Sequence, residues 1–153
     1  MNYLTIDSPV GVLTLFANKE CLISVQFKAN KNNISSPILE KTQLQLQEYF
    51  MGKRKIFSIP LGPKGTKFQA VVWRLLLKIP IGKTKTYGEL AKECCSFPRA
   101  IGHACKFNPI PIIIPCHRVI KKNKDLGGYS GGKGKKTKRD LLLMEGYKAL
   151  ENF

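Results

Sequence analysis

Residues 110–118 read IPIIIPCHR, and two prolines in this stretch restrict the backbone. The two prolines fix the backbone angle φ and cannot donate a hydrogen bond. They lead into Cys116 and His117, and a glycine-rich loop follows at residues 127–132. A thiolate is a strong nucleophile, and a neighbouring imidazole helps to form it. The pattern predicts a thiol that lines a cleft, although an isolated Cys-His pair is more often a buried cysteine beside a surface histidine.

Length and composition indicate a globular chain. Its 153 residues, 43% of them hydrophobic, suffice for one domain or for two small ones that share an interface. We find no apolar run of transmembrane length and no secretory signal, so we expect no membrane partner. The five cysteines form no regular framework, which favours reduced thiols in the cytoplasm. No Cys and His residues have zinc-site spacing, and we expect no metal.

The excess of positive charge lies entirely in the C-terminal two thirds of the chain. The net charge is +16, from 26 basic and 10 acidic residues. Residues 1–50 hold four of each kind, so residues 51–153 hold 22 basic and six acidic residues. Such asymmetry is typical of a part that binds a polyanion. Solubility, or a general lysine bias of the genome, is the alternative explanation.

The first third of the sequence predicts strands and one helix. Three runs are rich in β-forming side chains, at residues 3–7, 12–16 and 22–27. Ser36 is the expected N-cap of a helix that ends at Gly52. A further strand is expected at residues 56–60. The linker is expected at residues 61–65, and it divides the chain into domains of residues 1–62 and 63–153.

The second part has a mainly helical pattern. Thr66 is expected to cap a helix with an apolar stripe that faces the core. Thr86 and Glu89 have the spacing of a capping box, and Pro98 begins another helix after a brief turn. Two short helices across a tight turn predict a helix-turn-helix, although many helical hairpins bind nothing. Thr137 is the expected cap of a last helix.

Several sequence motifs follow one another between residues 65 and 146. They are GTKFQ (65–69), VW (72–73), IPIG (79–82), TYGELA (86–91), PRAIG (98–102), NP (108–109), IPCHRVI (114–120), GYSGG (128–132) and LLMEG (142–146). In this order they resemble the O6-alkylguanine-DNA alkyltransferases, which are methylated-DNA–protein-cysteine methyltransferases. The resemblance implies an α/β protein with a small ribonuclease H-like N-terminal domain and a mainly helical C-terminal domain that contains a helix-turn-helix. The N-terminal third matches the family only in size and element order.

The resemblance also implies the roles of the catalytic residues. Cys116 would accept the alkyl group from guanine O6, or from thymine O4, and would react once because water does not readily cleave the thioether. His117 would act as the base through a water molecule, and Glu145 would hold the imidazole in its tautomer. Tyr87 would donate its hydroxyl proton towards guanine N3. This stoichiometric transfer needs no cofactor.

The implied partner is duplex DNA in which an alkylated guanine is turned out of the base stack. Arg99 would fill the space that the base leaves, and Ser130 would form a hydrogen bond near O6. Asn108 would tie the recognition helix to the active-site segment, although a helix-ending asparagine before proline explains it nearly as well. The other implied contacts are Ala100, Gly102 and Ala104 on the recognition helix, main-chain groups near Val119, and Tyr129 and Gly131 in the glycine-rich loop.

The basic side chains are expected to face DNA phosphates, those of Lys83, Lys85 and the run at residues 133–138 above all. The protein is expected to be a cytoplasmic monomer, associated with the nucleoid if prokaryotic, and cooperative binding along DNA is left open. His103 and Phe107 depart from the family, which has small residues there.

Two other functions compete with alkyl transfer. A lesion-binding relative would lack the acceptor cysteine, which Cys116 argues against. A Cys-His hydrolase would need an oxyanion hole, for which the sequence gives no distinct evidence.

Overall fold

The computed structural model describes residues 1–148. The N-terminal half begins with an antiparallel sheet in the order β1-β2-β3, formed by Asn2–Ile6, Leu13–Ala17 and Leu22–Gln26. The three predicted strands are confirmed to within one residue at each end. The register places Leu15 opposite both Leu4 and Val25, so apolar side chains of the three strands meet on one face.

Helix α1, Pro37–Phe50, packs against β1 and β2. The predicted cap is confirmed, because the Ser36 side chain accepts a hydrogen bond from the backbone N–H of Leu39 at 3.4 Å. Leu39, Leu46 and Tyr49 recur at helical spacing and are buried. This face supplies the core of the N-terminal half.

The expected strand at residues 56–60 is wrong, since the structure has no strand there. The N–H of Ser58 donates to the side chain of Gln45 at 2.9 Å, so α1 holds the segment. Only its end reaches the sheet, where Leu61 forms a parallel bridge with Leu22. Pro60 contributes its carbonyl to Leu22 and has no N–H with which to extend a ladder.

The C-terminal half is mainly helical. Its elements are α2 Lys67–Leu77, β4 Lys85–Thr86, α3 Tyr87–Glu93, α4 Pro98–Lys106, a 3₁₀ turn Cys116–Arg118, β5 Val119–Ile120 and α5 Lys135–Met144. Strands β4 and β5 pair in parallel and bring the start of α3 next to the 3₁₀ turn. The expected fold class, a small sheet domain followed by a helical part, is confirmed. Among residues 1–148, no helix has the length and apolarity needed to span a membrane.

The predicted cap at Thr66 and the predicted capping box at Thr86 are both confirmed, and each is a complete capping box. Thr66 exchanges hydrogen bonds with Gln69, and Thr86 does so with Glu89. Helices α3 and α4 pack against each other across the turn at residues 94–97. This is the arrangement that a helix-turn-helix requires.

Thr137 does not cap α5, and that expectation is wrong. The helix begins at Lys135, after Gly134 with a φ of 64°, a value that glycine adopts readily. Thr137 lies in the first turn, is buried, and accepts a hydrogen bond from the N–H of Lys133 at 2.8 Å. It therefore holds the preceding loop.

The two halves share one continuous hydrophobic core. The N–H of Val25 on β3 donates to the carbonyl of Pro109, just after α4, at 2.9 Å. The predicted boundary between residues 62 and 63 falls in the extended segment before α2. Residues 149–153, the end of the second predicted domain, lie outside the described residues.

We expect Trp73→Phe to lower the free energy of unfolding by about 1–3 kcal/mol. Trp73 on α2 is buried, and its indole N–H donates to the Ala104 carbonyl on α4 at 3.0 Å. Phenylalanine would leave that carbonyl unpaired and the space partly empty. Urea unfolding measures the change, with Leu77→Ala, on the exposed side of the same helix, as the control. A loss below about 0.5 kcal/mol, within the range of an ordinary surface substitution, would contradict this link between the helices.

Candidate active site

Cys116 begins the 3₁₀ turn within a buried segment, residues 110–120. The backbone of Ile112 has a φ of 74°, which is unusual for a β-branched residue and costs about 1–3 kcal/mol. Asn108 holds the segment from both sides. Its side-chain amide donates to the Ile114 carbonyl at 2.8 Å, and its side-chain oxygen accepts from the N–H of Ile110 at 3.0 Å. Asn108 thus joins the end of α4 to the segment before the thiol, as expected.

The Cys116 thiol lies in an environment that opposes its ionisation. Burial raises the pKa of Cys116, while a hydrogen bond from Asn108 and the charge of Lys138 act in the other direction. A reactive thiolate therefore requires a base that removes the proton and groups that stabilise the anion.

His117 and Glu145 form a buried pair. The imidazole Nε2 lies 2.6 Å from Glu145 Oε2, and both side chains are almost inaccessible to solvent. Burial lowers the pKa of His117, although Glu145 opposes the shift. Burial would raise the pKa of Glu145, but the hydrogen bonds and charges of His117 and Arg118 outweigh it and lower this pKa to about 2.

The charge of Glu145 determines the tautomer of His117. Because the carboxylate only accepts hydrogen bonds, Nε2 carries the proton and Nδ1 keeps a free lone pair. Nδ1 is buried and has no hydrogen-bond partner among residues 1–148. His117 is thus a neutral base whose acceptor nitrogen is available.

Arg118 connects this pair to α2. Its Nε and Nη2 donate to the two oxygens of Glu145 at 2.8 and 3.0 Å, and Nη1 donates to the Ile79 carbonyl at 2.7 Å. The fork geometry satisfies a buried guanidinium and fixes the carboxylate. These contacts give Arg118 the role of holding the neighbouring segments together.

Tyr49 is a site residue that sequence reasoning missed. Its hydroxyl donates to Glu145 Oε2 at 2.5 Å, from helix α1 in the N-terminal half. Glu145 therefore accepts hydrogen bonds from three side chains, those of Tyr49, His117 and Arg118. The sequence gives no local signal that would have marked Tyr49.

A pocket of about 700 Å³ opens at the thiol. Its lining brings together six residues that the sequence predicted, namely Tyr87, Arg99, Gly102, Cys116, Tyr129 and Ser130. Lys106, Lys121 and Lys122 also line it, so several cations surround the entrance. Gly127 is required beside Tyr87, because it has a φ of 73° and a Cβ atom there would lie 2.8 Å from the Tyr87 hydroxyl. The arrangement fits a negatively charged polymer, one unit of which carries a ring that enters the pocket and reaches the buried thiol.

Comparison with known proteins agrees with this geometry. The model of the 6-O-methylguanine DNA methyltransferase DNA-binding domain matches residues 67–147, and that of the family's ribonuclease-like domain matches residues 1–63. The chain belongs to the 6-O-methylguanine DNA methyltransferase family. This confirms the family expected from the motifs.

Individual relatives cover nearly the whole chain. A methylated-DNA–protein-cysteine methyltransferase of Methanosarcina acetivorans is 41% identical over 95% of this chain and 99% of its own. The constitutive enzyme of that name from Bacillus subtilis is 41% identical over 86% of this chain and 87% of its own. The crystal structure of Mycobacterium tuberculosis OGT in complex with DNA has a TM-score of 0.85 at 40% identity, covering 95% of this chain and 92% of the other.

Other residues expected from the family's motifs are buried, lie outside the pocket lining, or form contacts within the protein. Val119 is completely buried in β5, opposite Lys85, and Ala100 is half-buried on α4 outside the pocket lining. Ala104 was expected to allow close approach to DNA, which is wrong, because it is buried and its carbonyl accepts from Trp73. Ser130 donates to the Lys106 carbonyl at 3.2 Å.

The glycine-rich loop packs against the N-terminal sheet. The rings of Tyr129 and Phe27 meet edge to face, with centroids 6.3 Å apart. Gly131 lies against Phe27 so closely that a Cβ atom would come within 2.4 Å of the ring. At the C-terminal end of α4, the exposed rings of His103 and Phe107 lie 4.7 Å apart. Among residues 1–148, no three or more His, Cys, Asp and Glu side chains group so that they could hold a metal ion.

We expect Glu145→Gln to change how stability depends on pH. The folded pKa of about 2 lies below the ordinary 4.5, so Glu145 stabilises the fold above pH 4.5 and loses this contribution as the pH falls towards 2. The shift corresponds to about 3 kcal/mol. Urea unfolding from pH 7 to pH 2 should show the variant less stable at pH 7, and the difference in free energy of unfolding from the wild type should narrow below pH 4.5. For Glu20→Gln, an exposed control, that difference should be small and constant. A constant gap for Glu145→Gln would mean that this carboxylate does not have its expected charge.

Proposed function

We propose that this protein repairs DNA by moving the alkyl group of O6-alkylguanine to its own Cys116, once per molecule. The observation that carries the proposal is the position of Cys116, at a pocket beside the neutral base His117 and the anionic Glu145. The relatives named above are similar to this chain over most of its length, and one has been crystallised with DNA. O4-alkylthymine is a second substrate of the same chemistry.

The transfer is a substitution at the alkyl carbon. His117 takes the proton of the Cys116 thiol through a water molecule, and Glu145 stabilises the imidazolium that forms. The thiolate then attacks the alkyl carbon, so that an S–C bond forms while the C–O6 bond breaks. The electron pair of the broken bond goes to guanine, which Tyr87 protonates at N3. The thioether holds no good leaving group, so the protein is consumed and needs no cofactor.

Duplex DNA is the partner, and the charges around the pocket support this. Arg99 on α4 is exposed at the pocket rim and has no carboxylate partner among residues 1–148. With α3 and α4 as the DNA-binding hairpin, Arg99 enters the stack where the alkylated guanine has turned outward. The base pocket is lined by Gly102, Tyr129 and Ser130. The other residues expected from the motifs support the pocket from outside its lining: Ala100, Asn108, Val119 and Gly131. The protein acts in the cytoplasm as a monomer.

The direct test is the mass of the intact protein after incubation with free O6-benzylguanine. We expect one added benzyl group, on Cys116, in the wild type and none in Cys116→Ala, because the thiol is the acceptor. Cys21→Ser, which removes a thiol remote from the pocket, should react like the wild type. DNA affinity of Cys116→Ala should stay within a few-fold of wild type.

Three other outcomes would contradict the proposal. An adduct that persists in Cys116→Ala would show a different acceptor. DNA binding without any adduct would identify a lesion-binding protein, and steady release of product over many turnovers would identify a hydrolase.

Arg99→Ala should slow repair of alkylated duplex DNA about 10- to 100-fold, yet change the reaction with free O6-benzylguanine less than threefold. Turning out the base costs a few kcal/mol, and the free base needs none of it. Single-turnover rates on both substrates measure the difference. Lys41→Ala removes the same charge from an exposed site on α1 and serves as the control. Equal slowing on both substrates would show that Arg99 supports the fold or the pocket.

A further inference from the structure

Two exposed aromatic rings lie next to each other on α4, and the mechanism proposed above assigns no role to them. The ring centroids of His103 and Phe107 are 4.7 Å apart, with the ring planes at 49°. Phe107 is 53% exposed, and His103 is exposed as well. The N–H of Phe107 donates to the His103 carbonyl at 3.2 Å, so the last turn of the helix holds both rings together. We call these two side chains the ring pair.

The charge around the ring pair is positive. Helix α4 contains Arg99 and Lys106 and no acidic residue. The ammonium group of Lys106 lies 5.9 Å from the centre of the Phe107 ring. A single exposed apolar side chain is ordinary on a protein surface, but exposed rings interspersed with cations are typical of surfaces that bind a nucleic-acid strand.

A second copy of this chain would match the ring pair poorly. Residues 51–153 carry the whole positive excess, and residues 1–50 hold equal numbers of acidic and basic residues. No part of that size in a second copy therefore brings the negative charge that Arg99 and Lys106 favour. A DNA strand brings both the negative charge and flat rings.

The ring pair also lies beside the acceptor pocket. Arg99, Gly102 and Lys106 line the pocket. Gly102 and Lys106 are the sequence neighbours of His103 and Phe107, so the ring pair lies on the adjoining side of the helix. Each four-residue step along α4, such as that from Arg99 to His103, advances about 6 Å along the axis. A DNA strand that delivers a base to the pocket across Arg99 thus has further bases within reach of the ring pair.

An unpaired base fits these rings better than a paired one. In a duplex, neighbouring bases cover the face of each base, and the grooves expose only base edges. In a single strand the faces are accessible, and stacking of one base on an aromatic side chain strengthens binding about 5- to 100-fold. Exposed rings on a basic helix therefore favour a strand whose bases are unpaired.

We propose that the ring pair is a stacking site for an unpaired base of the DNA strand that enters the pocket. The proposal rests on the proposed function, because it requires DNA at α4. Lys106 contacts a phosphate of the same strand. The substrate that this site adds is O6-alkylguanine in single-stranded DNA, where no opposite strand holds the base and Arg99 has no gap to fill.

The first test compares two undamaged oligonucleotides of about 16 nucleotides, one made of thymidine and one of abasic units. They carry the same phosphates and differ only in their bases. By fluorescence anisotropy, we expect the wild type to bind the thymidine strand at least about fivefold more tightly. The double variant His103→Ala with Phe107→Ala should bind both strands equally. Ile56→Ala removes an exposed apolar side chain from the N-terminal half and should behave like the wild type.

Salt dependence separates stacking from charge. If the rings contribute by stacking, the double variant should lose affinity for the thymidine strand without a change in the slope of log K against log salt. Lys106→Ala should instead make this slope less steep by about 0.7, the value for one phosphate of a single strand. A slope that flattens in the double variant as well would overturn stacking as the source of the affinity.

Repair rates test whether the stacking site serves the reaction. Single-turnover transfer is measured from O6-methylguanine in a single strand, from the same strand in a duplex, and from free O6-benzylguanine, with DNA below its dissociation constant. The double variant should be at least about fivefold slower on the single strand and change less than about threefold on the other two substrates. Arg99→Ala should show the opposite preference between the two DNA substrates. Equal slowing of the double variant on all three substrates would overturn the proposal.

A larger ring keeps the proposal testable if the double variant does not fold. Phe107 is only partly exposed, so urea unfolding accompanies each variant. Phe107→Trp retains a ring that can stack on a base. It should bind the thymidine strand at least as tightly as the wild type and leave binding of the abasic strand unchanged. Loss of the preference for thymidine in a folded Phe107→Trp variant would contradict stacking.

The failures of the two proposals can be told apart. A wild type that never takes up the benzyl group, or that binds no DNA, contradicts the proposed function. A wild type that takes up the benzyl group and binds DNA, yet binds the thymidine and abasic strands equally, overturns the stacking site alone.

Discussion

The rest of the site depends on one buried carboxylate. Glu145, at the end of α5, accepts hydrogen bonds from Tyr49 of the N-terminal half and from His117 and Arg118 of the acceptor turn. Arg118 continues to the Ile79 carbonyl after α2. A buried charge is tolerated only when its hydrogen bonds are satisfied, and these donors come from parts of the chain that are distant in sequence. The carboxylate therefore links the two halves through Tyr49 and sets the tautomer of His117.

Features that depend on neighbouring residues were predictable from the sequence, and features that depend on distant residues were not. The cap at Thr66 and the capping box at Thr86 are confirmed, because residues within three positions of each other decide them. The predicted cap at Thr137 is wrong because Gly134, with its positive φ, already precedes the first residue of α5. The motifs named Cys116, His117 and Glu145, but Tyr49 lies 96 residues from Glu145, and no local pattern connects them. Lys138 lies in a basic run, a pattern typical of a solvated helix face, so the sequence did not indicate that it is buried.

The proline-bounded apolar run explains how a reactive turn is held in place. Residues 110–120 are buried throughout, and Asn108 pairs with backbone groups on both sides of the strained residue Ile112. Strain of this size persists only where the surroundings over-determine the backbone. Burial of this kind is typical of a structural cysteine, but here it holds the turn that carries Cys116. The same burial removes solvent that would otherwise stabilise the thiolate.

That loss of solvent explains the distribution of charge around the thiol. Glu145 leaves the Nδ1 atom of His117 free to accept a proton, and the charge of Lys138 partly offsets the rise that burial causes in the pKa of Cys116. In the proposed reaction the base removes the proton from sulfur, and a positive charge nearby offsets the buried anion that forms. A protein that reacts once has no product to release from the sulfur. In the proposed reaction, the pocket therefore needs only to favour the thiolate and to protonate the guanine that leaves.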